Sequence, residues 1–308
     1  MHRIVSLLPS ATEIVCALGF EDEMVGRSHE CDHPSSVQRL PALTSPKFNP
    51  EGTSAEVNDR VNKILAEALS VYRVDAGELR ALAPDVIVTQ SQCDVCAVSM
   101  RDVEDAVARW VGGVQPPRIV SLAPYRLHAI LADMERVAEV LGVPERGTEL
   151  THRLSERMKA IEERARLALE RPAVACIEWI DPLMAAGNWM PQLVEMAGGR
   201  NLFGEAGVHS SWMKLEELLA RAEQIDVIVI MPCGFDLERT AREASSLMKN
   251  PEWTRLKAVR DGRVYMADGN QFFNRPGPRI AESLEILAEI VHPELFRPIH
   301  EGSGWRRA

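Results

Sequence analysis

Four of the six cysteines fall in stretches that read as loops: Cys31, Cys93, Cys96 and Cys233. His29 and His33 flank the first of them. Cys93-Asp94-Val95-Cys96 has the Cys-x-x-Cys spacing that suits two ligands on one metal ion or a redox pair. A second such pair does not follow, so a structural zinc finger is not indicated, and no Trp-Cys-Gly-Pro context marks a thioredoxin-type centre. Thiolates and imidazoles suit soft or borderline metals, so the chemistry open to this set is coordination of a metal, bare or inside a chelate. The plainer alternative is small loop residues that hold no ligand. Cys16 and Cys176 sit within apolar runs and are expected to be buried.

Other reactive constellations are missing from the sequence. There is no Gly-x-Gly-x-x-Gly, no Walker lysine loop and no Gly-x-Ser-x-Gly elbow. His128 and His152 fall on helical stretches, and His209 precedes Ser210-Ser211-Trp212 in a loop. No nucleophile, base and orienter assemble from these residues, so the chain is not expected to be an enzyme.

The elements that must position the thiols follow from a repeat. Glu78-Leu79-Arg80-Ala81-Leu82-Ala83-Pro84-Asp85-Val86-Ile87-Val88 precedes Cys93, and Glu217 to Val229 precedes Cys233 in the same manner. Each copy reads as a helix end, a turn, a buried strand and a loop with a thiol. Such a unit occurring twice, far apart, predicts two similar lobes with ligand groups at the strand ends.

Arg3 to Leu7 reads as a strand, and Ser10 to Gly19 as a helix with a capping-box pattern in Ser10-Ala11-Thr12-Glu13. Met24-Val25-Gly26 reads as a second strand, followed by an irregular stretch through Pro41, Pro46 and Pro50 and a helix over 58–70. Asp85 to Val88 is a strand, 100–110 a helix, and Arg118 to Leu122 repeats the opening strand letter for letter. After the helix from Tyr125 to Leu141, Glu145 to Glu170 reads as one helix on the order of 35 Å long. Strands at 173–177, 226–230 and 263–266 then alternate with helices at 190–197, 215–221 and 279–290, before a tail from Gly302 expected to fray. Alternation of this kind predicts an α/β fold with mostly parallel sheets. The predicted organisation is a lobe over 1–143, a connecting helix over 144–171 and a lobe over 172–308.

Composition narrows the partners. Lys+Arg is 35 and Asp+Glu 45 in 308 residues, a net charge of −10, and no basic block occurs, which disfavours nucleic acid and anionic membranes. No run of about 18 apolar residues exists, so no membrane span is predicted. Pro9 and Glu13 interrupt the apolar start, which therefore does not read as a secretory leader. The chain is accordingly expected in the cytoplasm, and in the periplasm or outside the cell if a leader has been removed.

The Arg3-to-Leu7, Ser10-to-Glu13 and Leu82-to-Val88 stretches resemble the first lobe of the substrate-binding proteins that serve ABC importers of cobalamin and iron–siderophores. Gly198-Gly199-Arg200-Asn201-Leu202-Phe203 resembles their Gly-Gly-x-Asn-x-Phe motif, and Pro278-Arg279 before the last helix also matches. The cobalamin-binding branch is the more similar. The resemblance implies two Rossmann-like lobes joined by a single long α-helix, and capture of a metal-containing chelate (a corrinoid, an iron–siderophore or haem) with no required cofactor. The alternative is a cytoplasmic metal-handling or thiol-dependent enzyme that reuses the fold. Strand-end logic nominates His29, His33, Gln90, Trp179, Asn270, Phe273 and Arg275 as ligand contacts, with Trp212 and Phe272 close to the family's ligand aromatics. Asn270, Gln271, Asn274 and Arg275 offer donors and acceptors for propionamide or carboxylate groups. Cys31, Cys93, Cys96 and Cys233 are the candidate metal ligands. An ABC permease is the implied partner, with Glu216 at the second-lobe docking position; the first-lobe position falls near Met100, beside Asp102 and Glu104.

Overall fold

The computed structural model describes residues 1–67, 70–92, 100–108 and 116–308. The chain divides into two compact units. One comprises Met1–Gly52, Glu56–Pro124 and His128–His152; the other comprises Thr53–Ala55, Tyr125–Leu127 and Arg153–Ala308.

In the first unit, β1 (Ile4–Ser6), β2 (Met24–Gly26), β5 (Val86–Gln90) and β6 (Arg118–Leu122) form a parallel sheet in the order β2-β1-β5-β6. Its strands are short apolar runs, and Ile4, Val5, Val86, Ile87 and Val88 are fully buried. That pattern marks a sheet covered on both faces. A second ladder pairs β3 (Thr44–Pro46) with β4 (Tyr72–Val74). The prolines predicted an irregular stretch there, but Pro46 sits at the end of a two-stranded ribbon, where its missing N–H leaves the pairing intact. The helices are α1 (Pro9–Ala17), α2 (Ser54–Ala66), α3 (Ala76–Leu82), α4 (Met100–Ala108) and α5 (Leu127–Val140). The expected capping box on α1 does not form. Leu8 is the N-cap, Pro9 takes the first helical position, and Ser10 lies inside the first turn.

The next helix, α6 (Pro144–Ala165), has 22 residues, about 33 Å of helix, and the division between the units falls within it at His152 and Arg153. Leu150, Leu154, Met158, Ile161 and Ala165 recur at helical spacing and are buried. The helix stops five residues before the predicted end at Glu170.

In the second unit the parallel strands are β7 (Ala173–Trp179), β11 (Val227–Ile230) and β12 (Val264–Ala267), in the order β7-β11-β12. Three two-residue strands join at the β7 edge. β8 (Met184–Ala185) and β9 (Arg200–Asn201) pair with β7, and β10 (Ser211–Trp212) pairs with β8. At the other edge β13 (Trp305–Arg307) runs antiparallel to β12. The tail expected to fray is therefore a sheet strand, with Trp305 buried. The helices of this unit are α7 (Met190–Met196), α8 (Leu215–Leu219), α9 (Leu237–Met248), α10 (Lys257–Arg260) and α11 (Ile280–Val291).

The repeated sequence unit has the same place in both sheets. α3 leads into β5 beside β1, and α8 leads, through a turn at Ala222–Gln224, into β11 beside β7. In each unit a thiol-bearing loop was expected after the repeated strand; Cys93 and Cys96 lie outside the described residues.

Candidate functional site

Trp179, Phe235 and the pair Phe272 and Phe273 lie at or just after the C-terminal ends of β7, β11 and β12. Register places Trp179 of β7 beside Met184 of β8, and Met184 beside Trp212 of β10. Side chains directly opposite one another in neighbouring strands project from the same face. The result is one row, indole–thioether–indole, in which Trp212 is 58% exposed. Trp179 also packs against buried Phe235, with ring centroids 5.1 Å apart, and the Arg239 guanidinium lies 3.8 Å from the centroid of Phe235. A partly exposed aromatic row with a stacked cation is a surface for a flat, polarisable ligand.

Two polar atoms at this end are buried without a partner among the described residues: the Trp179 Nε1–H and the Asn188 Oδ1. Trp189, by contrast, is core, and its Nε1–H donates to the Phe273 carbonyl at 3.1 Å.

The arm at 203–212 that delivers Trp212 is packed on backbone. Asn188 N–H donates to the Val208 carbonyl at 2.7 Å, and Gly207 N–H donates to the Asn188 carbonyl at 2.8 Å. Gly187 is required beneath it, since a Cβ there would stand 2.4 Å from the Val208 oxygen. Ser210 completes the join. Its hydroxyl accepts from Gly187 N–H at 3.0 Å and donates to Glu178 Oε2 at 2.8 Å. Burial pushes the Glu178 carboxyl up to about 7, against the downward pull of the Ser210 hydrogen bond. His209 is exposed and its Nδ1 accepts from the Ser210 N–H.

The loop from Asp268 to Arg275 is more inward-looking than its composition suggests. Asp268 caps the turn, accepting from the backbone and side-chain nitrogens of Gln271 at 2.7 and 3.1 Å. Asn274 donates to the carbonyls of Met231 and Gly269, and buried Arg275 donates to Asn270 Oδ1 at 3.0 Å. These polar groups hold the loop against the Met231–Phe235 turn. Of the two adjacent phenylalanines, Phe273 is fully buried and Phe272 half-buried, beneath the Arg279 guanidinium at 5.4 Å. Cys233 is half-buried, and its N–H donates to the Glu178 carbonyl at 3.1 Å.

In the first unit, the loop after β2 holds His29 against the ribbon. The Thr44 hydroxyl oxygen accepts from the His29 backbone N–H at 3.1 Å and lies 2.7 Å from Nδ1, a second hydrogen bond that fixes the ring against the ribbon. Burial, and then the Arg27 charge, hold this imidazole below the ordinary histidine range, so it is neutral at neutral pH. His33 is exposed. Cys31 is not a surface thiol: it is 1% exposed, with Sγ 2.9 Å from the Thr12 hydroxyl and 3.1 Å from that of Ser28. Gln90 ends β5 buried, its Nε2 without a partner among the described residues. Among the described residues, no group of three or more His, Cys, Asp or Glu side chains is placed to hold a metal ion. The fourfold thiol set is thus split: Cys31 in the core of one unit, Cys233 half-buried in the other unit, and Cys93 and Cys96 outside the described residues.

Met184, Phe235, Arg239 and the buried Glu178–Ser210 bond were not anticipated as parts of one surface. Phe235 lies two residues after the nominated Cys233, which was a usable signal. Met184 had none, because β8 and β10 are two residues long and exist only as partners.

The model of the periplasmic binding protein family matches residues 4–270. The chain belongs to that family. It is 22% identical over 301 residues to the uncharacterized ABC transporter substrate-binding lipoprotein YvrC of Bacillus subtilis, covering 96% of this chain and 81% of the relative. It is 22% identical over 303 residues to a vitamin B12-binding protein of Vibrio cholerae, covering 94% and 89%. Among solved structures, a periplasmic heme-binding protein from Pseudomonas aeruginosa superposes with a TM-score of 0.71 at 22% identity, covering 96% of this chain and 94% of that one. The expected mixed α/β architecture of this family is what the chain has. No helix of the described residues is long and apolar enough to cross a membrane.

Proposed function

We propose that this protein captures a metal-containing chelate, a corrinoid, haem or iron–siderophore, and serves as the substrate-binding component of an ABC importer. The observation that carries the reading is the row Trp212–Met184–Trp179, backed by buried Phe235 with Arg239 stacked on it. Such a surface suits a broad planar ligand with peripheral acidic or amide groups, and the Trp179 Nε1–H and the Asn188 side-chain Oδ1, unpartnered among the described residues, are one donor and one acceptor at the same strand ends. The relatives support the class, being named for vitamin B12 and heme. They favour binding over the thiol-enzyme alternative. Their periplasmic or lipoprotein setting favours work outside the cytoplasm, the second of the two locations expected from the sequence. Glu216, exposed in the first turn of α8, is the proposed contact with the permease.

Titration with cyanocobalamin, haemin and a ferric siderophore, followed by calorimetry and visible absorbance, tests the reading. Saturable heat and a spectral change are expected with at least one of the three. Silence from all three at every concentration overturns it.

A further inference from the structure

The end of the chain stands behind the loop that carries Phe272. Asp268, at the root of that loop, donates its N–H to the Gly304 carbonyl at 2.9 Å. The Phe272 ring meets the His300 imidazole edge-on, with centroids 6.2 Å apart. Gly304 admits this approach, since a Cβ there would stand 2.7 Å from Ile286 Cδ1 and 3.3 Å from Phe272 Cε2. The segment is held down by Glu289 of α11, 4% exposed, which accepts from the Ile299 and His300 N–H groups, each at 3.1 Å, and from Trp305 Nε1 at 2.7 Å. A buried carboxylate with three donors is compensated for its lost water, so the segment and α11 form one joint.

His300 sits at the centre of that joint. Its Nε2 lies 2.9 Å from Glu285 Oε2, and Glu285 also accepts from Arg157 Nε and Nη2, both at 2.7 Å. The charged groups facing the imidazole are Glu282, Glu285 and Glu289 from α11 and Arg157 from α6, while Arg279 stacks on the same Phe272 ring.

We propose that His300 is a positioning residue for the ligand loop: protonated and paired with Glu285 it holds Phe272 and the Asp268 root in place, and neutral it lets them loosen, so that ligand affinity falls as pH rises. This rests on the proposed chelate binding and on the expectation from the family resemblance that Phe272 lies close to the ligand. The sign follows from the surroundings. The Glu285 hydrogen bond, above the opposing effect of burial, holds the His300 pKa above the ordinary histidine value of 6.5. The pairing is therefore complete below pH 6.5 and is lost as pH rises through the raised value.

The test uses the full chain, His300→Gln and Glu285→Gln across pH 5.5 to 9. Without ligand, NMR follows the His300 ring, and hydrogen exchange gives the protection factor of the Asp268 amide. That protection is expected to fall by about threefold or more along the His300 titration in the wild type, as for a local opening coupled to one group. It is expected to be low and flat in His300→Gln. Glu285→Gln keeps the imidazole and should move both midpoints down together. With haemin and cyanocobalamin as probes, affinity for whichever binds should fall with the same midpoint in the wild type and not in His300→Gln. An Asp268 amide indifferent to a titrating His300, or an unchanged affinity profile in His300→Gln, overturns the assignment. If the amide follows His300 while neither probe binds at any pH, the positioning role stands and the proposed chelate reading is what falls.

Discussion

Glu178 closes the apolar run of β7 with a carboxyl held by the Ser210 hydroxyl, and that burial has a pH signature. The group ionises near its ordinary value of 4.5 in the unfolded chain and at about 7 in the folded one. Below 4.5 both states are protonated and the group is neutral in the balance. Between 4.5 and 7 the unfolded state ionises first, so stability drops, and above 7 the full cost, on the order of 3 kcal/mol, is present. Glu178→Gln keeps an acceptor for Ser210 and cannot ionise. Its urea midpoint should match the wild type at pH 4 and exceed it clearly at pH 8; equal midpoints at both would mean that Glu178 is solvated in the native state. At this scale the sequence was a partial guide. Trp179 was nominated by strand-end position and Trp212 by the family resemblance, and the strand register puts the two in one row. Which of the adjacent Phe272 and Phe273 turns inward could not be read, because two neighbouring residues of one type carry no local signal that separates them. Cys31 looked like a loop thiol because its neighbours are polar, yet two of the hydroxyls that enclose it, Thr12 and Ser28, are themselves buried.

The elements that hold these residues were readable in proportion to how much of their identity is local. Strands β1, β5, β6, β7 and β11 declare themselves as buried β-branched runs, and α5, α6 and α11 by apolar spacing. The two-residue strands β8, β9 and β10, and the ribbon of β3 and β4, take their form from a partner and carry no periodicity of their own. Helix α9 was missed because Thr240 and Ala244 fill its buried face along with Leu237, so the stripe looks polar. The arm at 203–212 belongs to the second class, and it has a corresponding weakness. Gly187→Ala puts a methyl group against the Val208 carbonyl and the Ser210 nitrogen, both backbone atoms that cannot rotate away. The arm must lift, at a cost of about 1–3 kcal/mol typical of overpacking. The Glu178–Ser210 bond should go with it. The expected readout is a lower denaturant midpoint together with faster exchange of the Asn188 and Gly207 amides. Wild-type exchange at those two amides would show that the arm is not seated on Gly187.

Across the whole molecule, the repeat placed far apart in the sequence became the same strand arrangement in two units, with a short parallel strand, β2 or β9, outside the first strand of each. That much was legible because a helix–turn–strand unit is a local pattern copied twice. A folded chain of this size is stable by only a small margin, so a ligand that binds the native state alone shifts it visibly. At a free concentration of 100 times the dissociation constant the gain is about 2.7 kcal/mol. For a unit of this size that corresponds to a rise of roughly 5–10 °C in the melting midpoint of whichever unit holds the ligand. Trp212 separates ligand contact from fold maintenance, because at 58% exposure it contributes little to the core. Trp212→Ala should therefore melt within about 1 °C or so of the wild type without ligand, as exposed substitutions do. In the presence of haemin or cyanocobalamin it should lose most of the ligand-induced rise. A Trp212→Ala protein that keeps the full rise would move the ligand off the indole row, and one that melts early without ligand would make Trp212 a structural residue of the arm.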